Sequence, residues 1–304
     1  MHQACFRVVV EQARNSGIYS IEIESKSGFF ATIQAVLFIL IYCDQHKLQP
    51  QISARGGPYG DPTGLVDWFG ALFEPIDRLA PSSGAEIGYR SAVKTSRITG
   101  IEELGLRRRY DESLTLAQAS TTFNAHFRPR PELLEIVNST CQRLSISDST
   151  LAVHYRGTDK FFEAGHISPQ LIRRGIERLM RTRPNLNSIL IASDEQAFIE
   201  LIQGWSLDLP VKIAPSNFLS VRDKPVHASG HPGLEIGREA LVTCLLLSRC
   251  GFLVKTPSYL SGWAKIFNPS LPVWLLSPLT SKSLFPDRAL WDDQLTGRVP
   301  YGKE

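Results

Sequence analysis

Along this chain, short apolar runs alternate with longer stretches in which apolar residues recur every three or four positions. Residues 19–24, "YSIEIE", alternate in the manner of a half-buried strand. "SKSGFFATIQAVLFILIYCDQH" follows, with Ile33, Val36, Leu37, Leu40 and Ile41 on one helical face. The pattern predicts a strand, a glycine turn and a helix. Residues 49–54 read as the next strand, closed by "RGGPYGDPTG", whose glycines and prolines belong to loops and turns. Residues 65–127 carry no periodicity that resolves into elements.

From Pro131 the pattern sharpens. "PELLEIVNSTCQRL" reads as a helix, "LAVHY" as a strand, and residues 169–183 as an amphipathic helix with a proline near its first turn. "SILIAS", "DEQAFIELIQGW", "VKIA", "LEIGREALVTCLLLSRC", "GFLVKT", "YLSGWAKIFN" and "PVWLL" then alternate strand with helix. Short apolar strands separated by helices imply a parallel sheet covered on both faces, so the expected fold class is α/β. A chain of 304 residues is longer than one hydrophobic core usually sustains, which predicts two domains of about 150 residues and a cleft. The division is expected at 1–145 and 146–304. No internal repeat is visible.

Composition narrows the classes of function. Hydrophobic residues make up 43% and charged residues 21%, ordinary values for a globular enzyme. The net charge of +3 is spread over 33 basic and 30 acidic side chains, with none of the basic concentration a nucleic-acid partner requires. Arg107 to Arg109 reads as a solvated face. The longest apolar run, within residues 31–43, is interrupted by Thr32 and Gln34. It falls short of the roughly 20 residues a bilayer needs, so no membrane span is expected. The start, "MHQACFRVVVEQAR", lacks a secretory pattern. The five cysteines are odd in number and dispersed, without zinc-ligand spacing, and Cys244 and Cys250 fall in an apolar helical pattern where cysteine acts as a small hydrophobe. A reducing, cytoplasmic compartment is the expectation.

Open parallel sheets bind ligands beyond the carboxyl ends of their strands. That rule singles out "HYRGTDK" after "LAV", Ser193 and Asp194 after "SILIA", and Thr256, Pro257 and Ser258 after "GFLVK". Arg156 offers a planar fork suited to phosphate, and Gly157 lets backbone approach a ligand. The competing reading pairs Arg156 with Asp159 in a structural turn; the strand-end position favours the ligand. Ser258 and Thr256 precede a helix, where hydroxyls and amides make an anion site, although Ser258 can equally cap that helix. Ser27 to Phe30 joins the first strand to the first helix and could present amides at Gly28. His154 is either a base-edge or ribose partner or a satisfied core histidine, with nothing to choose between them. Asp194 and Glu195 fit a helix start better than a metal site, and no metal is assigned. Asp159 and Glu163 are candidate general bases. Nicotinamide, P-loop and serine-hydrolase motifs are absent from the strand-to-helix turns.

Taken together, these residues resemble a known family. "VHYRGTDK" (153–160) resembles the "HVRRTDK"-type motif of the fucosyltransferase superfamily, which contains the core α1,6-fucosyltransferases, the rhizobial nodulation fucosyltransferases and the protein O-fucosyltransferases. "ILIASDEQAFIELI" and "GREALVTCLLLSRCGFLVKTPSYLSGWAKIFNP" are similar to its later motifs in order and spacing, and "SGFF" to its N-terminal glycine loop. The likeness covers 151–269 well, the first fifty residues loosely and 65–127 hardly at all.

The resemblance implies a GT-B-like glycosyltransferase with two Rossmann-like domains facing a cleft, the N-terminal one on the acceptor side. It implies inverting transfer of fucose from GDP-fucose to a glycan hydroxyl, by single displacement, with neither metal nor cofactor. By position, Arg156 matches the arginine on the donor diphosphate, His154 the guanine-side histidine, and Asp194 an acid near the donor. Thr256 and Ser258 match the donor phosphate turn, and Gly28 and Phe29 the N-terminal loop. Asp159 and Lys160 match the pair beside the acceptor. Glu163 lies near the position of a base in some relatives, with one residue fewer after Lys160. Two positions depart from the family. Thr243 stands where an aspartate often reads guanine, with Glu239 one turn earlier, and Gly157 replaces the second arginine. A different nucleotide-sugar donor, or a non-catalytic nucleotide- or glycan-binding protein, remains the alternative.

Overall fold

The computed structural model describes residues 18–24, 27–61, 63–76, 87–94, 97–98, 105–156, 167–219, 226, 230–276 and 283–295. In chain order the elements begin β1 (Ile18–Glu24), α1 (Phe29–His46), β2 (Gln49–Ser53), α2 (Trp68–Leu72), β3 (Phe73–Pro75), β4 (Ile87–Lys94) and β5 (Arg97–Ile98). They continue with α3 (Leu106–Ser113), α4 (Leu116–His126), β6 (Phe127–Pro129), α5 (Pro131–Leu144), β7 (Thr150–Tyr155), α6 (Pro169–Thr182), β8 (Ser188–Ser193), α7 (Gln196–Gln203) and β9 (Val211–Ile213). The last are α8 (Gly233–Ser248), β10 (Phe252–Lys255), α9 (Tyr259–Phe267), β11 (Val273–Leu275) and α10 (Asp287–Leu295).

The described residues fall into two compact units. One holds those up to Ser113 with Thr121–Arg130 and Pro232–Leu234; the other holds Leu114–Ser120, those from Pro131 to His231 and those from Glu235 onward. The second unit therefore takes in α5, ahead of residue 145.

In the first unit the sheet runs β2-β1-β4-β5, with β1 parallel to both neighbours and β5 antiparallel to β4. Sequence periodicity assigns α1 a single apolar face. In the structure nearly every residue from Phe29 to Cys43 is buried, Thr32 and Gln34 included. A helix buried on all sides belongs to a core. Among the described residues α1 alone is long and apolar enough to cross a bilayer, with mean hydropathy 1.3 over 18 residues, yet 78% of it is buried inside the protein. The glycine-rich loop after β2 is held at its far end by Asp67, whose Oδ1 accepts hydrogen bonds from the amides of Phe69, Gly70 and Ala54. Trp68 closes it by donating its indole N–H to the Gly56 carbonyl at 3.1 Å.

The second unit carries a wholly parallel sheet in the order β11-β10-β7-β8-β9. Every strand and helix expected after Pro131 is present, its ends moved by a residue or two; α10 is additional. Leu151, Val153 and Tyr155 of β7 share one face with Ile189, Ile191, Phe252 and Val254, and pack with Ile172, Ile176 and Leu179 of α6 and Phe198 and Ile202 of α7. The opposite face carries Ala152 and His154, in register with Leu253 and Lys255 of β10 and with Leu190 and Ala192 of β8. The chain leaves β7 toward β8 and β9 on one side, then returns to lay β10 and β11 on the other. The switch in strand order thus falls between β7 and β10, where open α/β sheets bind ligands.

Candidate functional site

The strand ends at this switch are stitched together by backbone. The Thr256 amide donates to the His154 carbonyl at 3.1 Å, and the Arg156 amide donates to the Thr256 hydroxyl at 3.0 Å. That hydroxyl in turn donates to the Arg156 carbonyl. Pairing of β7 with β10 therefore continues past the last ladder residue, and Arg156 leaves the sheet from a fixed base. Its guanidinium reaches sideways to the end of β8, where Nε lies 3.9 Å from Asp194 Oδ2, both side chains about one-fifth exposed at 22% and 21%. A planar guanidinium at this strand end is a group suited to bidentate contact with an anion.

Ser258 begins α9 as its N-cap residue but makes no side-chain cap. Its Oγ is buried and has no hydrogen-bond partner among the described residues, as is true of Ser261 one turn on. Buried hydroxyls are ordinarily satisfied, and an orphan beside a helix N-terminus is suited to a phosphate oxygen. The capping role open to Ser258 in the sequence is thus not taken up by its side chain.

His154 is 6% exposed, with Nδ1 buried and unpartnered. Among the described residues no backbone group satisfies that nitrogen, as the core-histidine reading would require. Burial pushes its pKa down to about 3, assisted by the positive charges of Lys255 and Arg156. The ring is therefore neutral, with one nitrogen to donate and one to accept. On the opposite face Tyr155 stacks on Phe198 at 4.0 Å, and burial together with Glu195 and Asp194 raises its hydroxyl to about 12.

His154, Arg156, Asp194, Thr256 and Ser258 are thus gathered along three adjacent strand ends of the second unit. Gly28 and Phe29 are in the first unit. Gly28 accepts the Thr32 amide at 3.0 Å, and the Phe29 ring, 4% exposed, is packed against Phe30, Tyr59 and Trp68. The Phe29 side chain is core, which leaves backbone as its means of meeting a ligand. Gly157, Asp159, Lys160 and Glu163 lie outside the described residues. Glu239 is engaged with its own unit: its carboxylate accepts from Ser216 Oγ and the Asn217 amide, each at 2.7 Å, and from the Phe218 amide at 3.3 Å. It orders the loop after β9. Among the described residues no group of three or more His, Cys, Asp or Glu is gathered to hold a metal.

Sequence reasoning missed Lys255. It is fully buried and ion-paired with Asp287 of α10. The available signal was a lysine inside the apolar run "GFLVKT", a position where a charge is rare unless paired.

No family model matches the chain, and no curated protein matches it in sequence. Solved structures do match. NodZ α-1,6-fucosyltransferase soaked with GDP-fucose superposes with a TM-score of 0.54 at 15% identity, over 83% of this chain and 93% of that one. The fold is that of the fucosyltransferases. Fucosyltransferase NodZ from Bradyrhizobium gives a TM-score of 0.53 at 14% identity over 83% and 93% of the two chains. A variant of FUT1 from Arabidopsis thaliana, in complex with GDP, gives 0.52 at 13% identity over 95% and 78%. At such identities the likeness establishes the α/β, GT-B-type fold. Within that fucosyltransferase fold, the residues at the β7, β8 and β10 ends occupy the switch point of the C-terminal parallel sheet.

Proposed function

We propose that this protein is a GDP-fucose-dependent glycosyltransferase that transfers fucose, with inversion and without a metal, to a hydroxyl of a glycan or glycoconjugate. The observation that carries the proposal is the pair of orphaned polar atoms at the switch point, His154 Nδ1 and Ser258 Oγ, on the same strand ends that carry Arg156. A diphosphate and a purine edge suit this cluster: a phosphate oxygen for the Ser258 hydroxyl, negative charge for Arg156, and a hydrogen-bonding edge for a neutral His154. Likeness in fold to NodZ and FUT1, solved with GDP-fucose or GDP, supports the same reading.

In this reading the second unit holds the donor and the first the acceptor. Arg156 stabilises the charge that builds on the departing diphosphate, a task that preorganised donors perform in the transition state. The resemblance assigns Asp159 and Lys160 to the acceptor, and Asp159 or Glu163 to taking its proton. A second reading, another nucleotide sugar, is favoured by one observation: Thr243 replaces an acid, and Glu239 is already bonded to the 216–218 loop.

Thermal unfolding with GDP, UDP, CDP and NAD, on the wild type and Arg156→Ala, tests both. A ligand at about a hundred times its Kd adds roughly 2.7 kcal/mol, several degrees of midpoint. GDP-selective stabilisation that Arg156→Ala abolishes is the expected result. Selectivity for UDP or CDP transfers the assignment to the second reading, and silence toward every nucleotide overturns both.

A further inference from the structure

The chain leaves β9 at the same end of the sheet as the donor-site residues. The Ala214 amide donates to the Ile191 carbonyl of β8 at 2.8 Å, so the ladder runs one residue past β9 and releases the chain beside Ser193 and Asp194. Asp194 is the residue that the Arg156 guanidinium approaches. Two strand spacings, about 10 Å, separate β9 from β7, a gap that a nucleoside laid across the strand ends bridges.

Phe218 follows shortly after, on a loop with a fixed backbone. Glu239, in the second turn of α8, accepts hydrogen bonds from Ser216 Oγ and from the amides of Asn217 and Phe218. Gly230, at φ +78°, turns the chain into His231 through a left-handed conformation that favours glycine. The Phe218 and His231 rings meet with centroids 4.9 Å apart and planes tilted by 43°. His231 Nε2 is buried, and among the described residues no group bonds it. Phe218 is half-buried and lies outside the apolar cluster packed against β7 and β8. Packing of the sheet thus explains neither ring. An aromatic face beside an unpartnered ring nitrogen is suited to a planar ligand with a polar edge.

We propose that Phe218 and His231 form the base-stacking wall of the donor site, the base lying against the two rings and one of its polar groups bonding His231 Nε2, an inference that rests on the donor-site reading above. Aromatic rings accept the face of any base, so the wall supplies affinity. The ring nitrogen donates or accepts according to its tautomer, and that bond adds a preference among bases.

The test follows the imidazole protons of His231 by NMR while GDP or inorganic pyrophosphate is added to the wild type. A base stacked on the ring shifts these protons through its ring current, and pyrophosphate, which carries no base, leaves them in place. Calorimetry with GDP then compares wild type, Phe218→Leu and Phe218→Tyr. Leucine keeps an apolar contact but removes the aromatic face, so GDP affinity is expected to fall about fivefold or more, whereas tyrosine keeps the face and an affinity within about twofold of wild type. His231 signals that stay in place at saturating GDP, or that move equally with pyrophosphate, overturn the proposal and leave the two rings as loop packing. An unchanged GDP affinity in Phe218→Leu does the same. The NMR result needs only the wild type, so it decides even where a variant fails to fold. If the wild type binds UDP or CDP in place of GDP, the same titration with that nucleotide decides. No binding of GDP, UDP or CDP overturns the donor reading, and this inference with it.

Discussion

Replacing Ser258 by alanine should move stability and ligand affinity in opposite directions. The hydroxyl is buried, caps nothing and has no partner among the described residues, so Ser258→Ala breaks none of their hydrogen bonds in the nucleotide-free state. Leaving a buried polar group unsatisfied costs about 1–3 kcal/mol. Removing it therefore leaves stability level or raises it by up to about 2 kcal/mol, against the loss of about 1 kcal/mol expected when a working N-cap is deleted. In the donor reading the same hydroxyl gives a charge-assisted bond to phosphate worth about 1.5–3 kcal/mol, so GDP should bind roughly ten- to a hundredfold more weakly. Urea denaturation of the free protein and calorimetric titration with GDP measure the two effects. A drop in stability of about 1 kcal/mol or more would mean that the hydroxyl serves the fold. Unchanged GDP affinity would remove Ser258 from the site. Either outcome refutes the reasoning, because the argument requires that stability not fall and that GDP affinity does.

Two further outcomes follow from the same geometry. Gly251→Ala should lower the denaturation midpoint strongly, by about 3 kcal/mol or more, because its new Cβ would lie 1.7 Å from the Asp148 carbonyl oxygen, a backbone atom that must move; a midpoint within error of wild type would contradict the packing of this turn against β7. His154 makes stability depend on pH with a definite sign: the unfolded ring takes a proton below its ordinary 6.5 and the folded ring only near about 3, so stability present above 6.5 is lost as pH falls between these values. The slope from this one group is about 1.4 kcal/mol per pH unit, and urea midpoints at several pH values should show it in wild type and not in His154→Gln; parallel slopes would mean that the ring is not buried neutral.

The C-terminal half was legible because its strands are buried on both faces and so appear as unbroken apolar runs between amphipathic helices. "LAVHY", "SILIAS" and "GFLVK" each lie inside a five-stranded parallel sheet, where burial leaves little room for polar interruption. The first half lacked that contrast. β3, β5 and β6 are two or three residues long, shorter than any periodicity can register, and β4, "IGYRSAVK", mixes charge with apolar residues. α1 misled in another way, since a helix buried all round has no polar stripe against which to measure a face.

The candidate site was legible for a related reason. A polar residue just beyond a two-face-buried strand has no packing role to explain it, which is why Arg156, Asp194, Thr256 and Ser258 stood out before any coordinates, whereas His154, inside β7, could be read either way. What periodicity could not supply was the order of the strands, and the order decides that these residues meet. Had β10 been laid beside β9, Thr256 could not bond the backbone of His154 and Arg156, and the two orphaned atoms would stand at separate edges. Lys255 escaped notice because its partner, Asp287, lies 32 residues onward in a segment with no readable pattern. A buried charge becomes interpretable only when its counter-charge is known. The structure provides that counter-charge in Asp287.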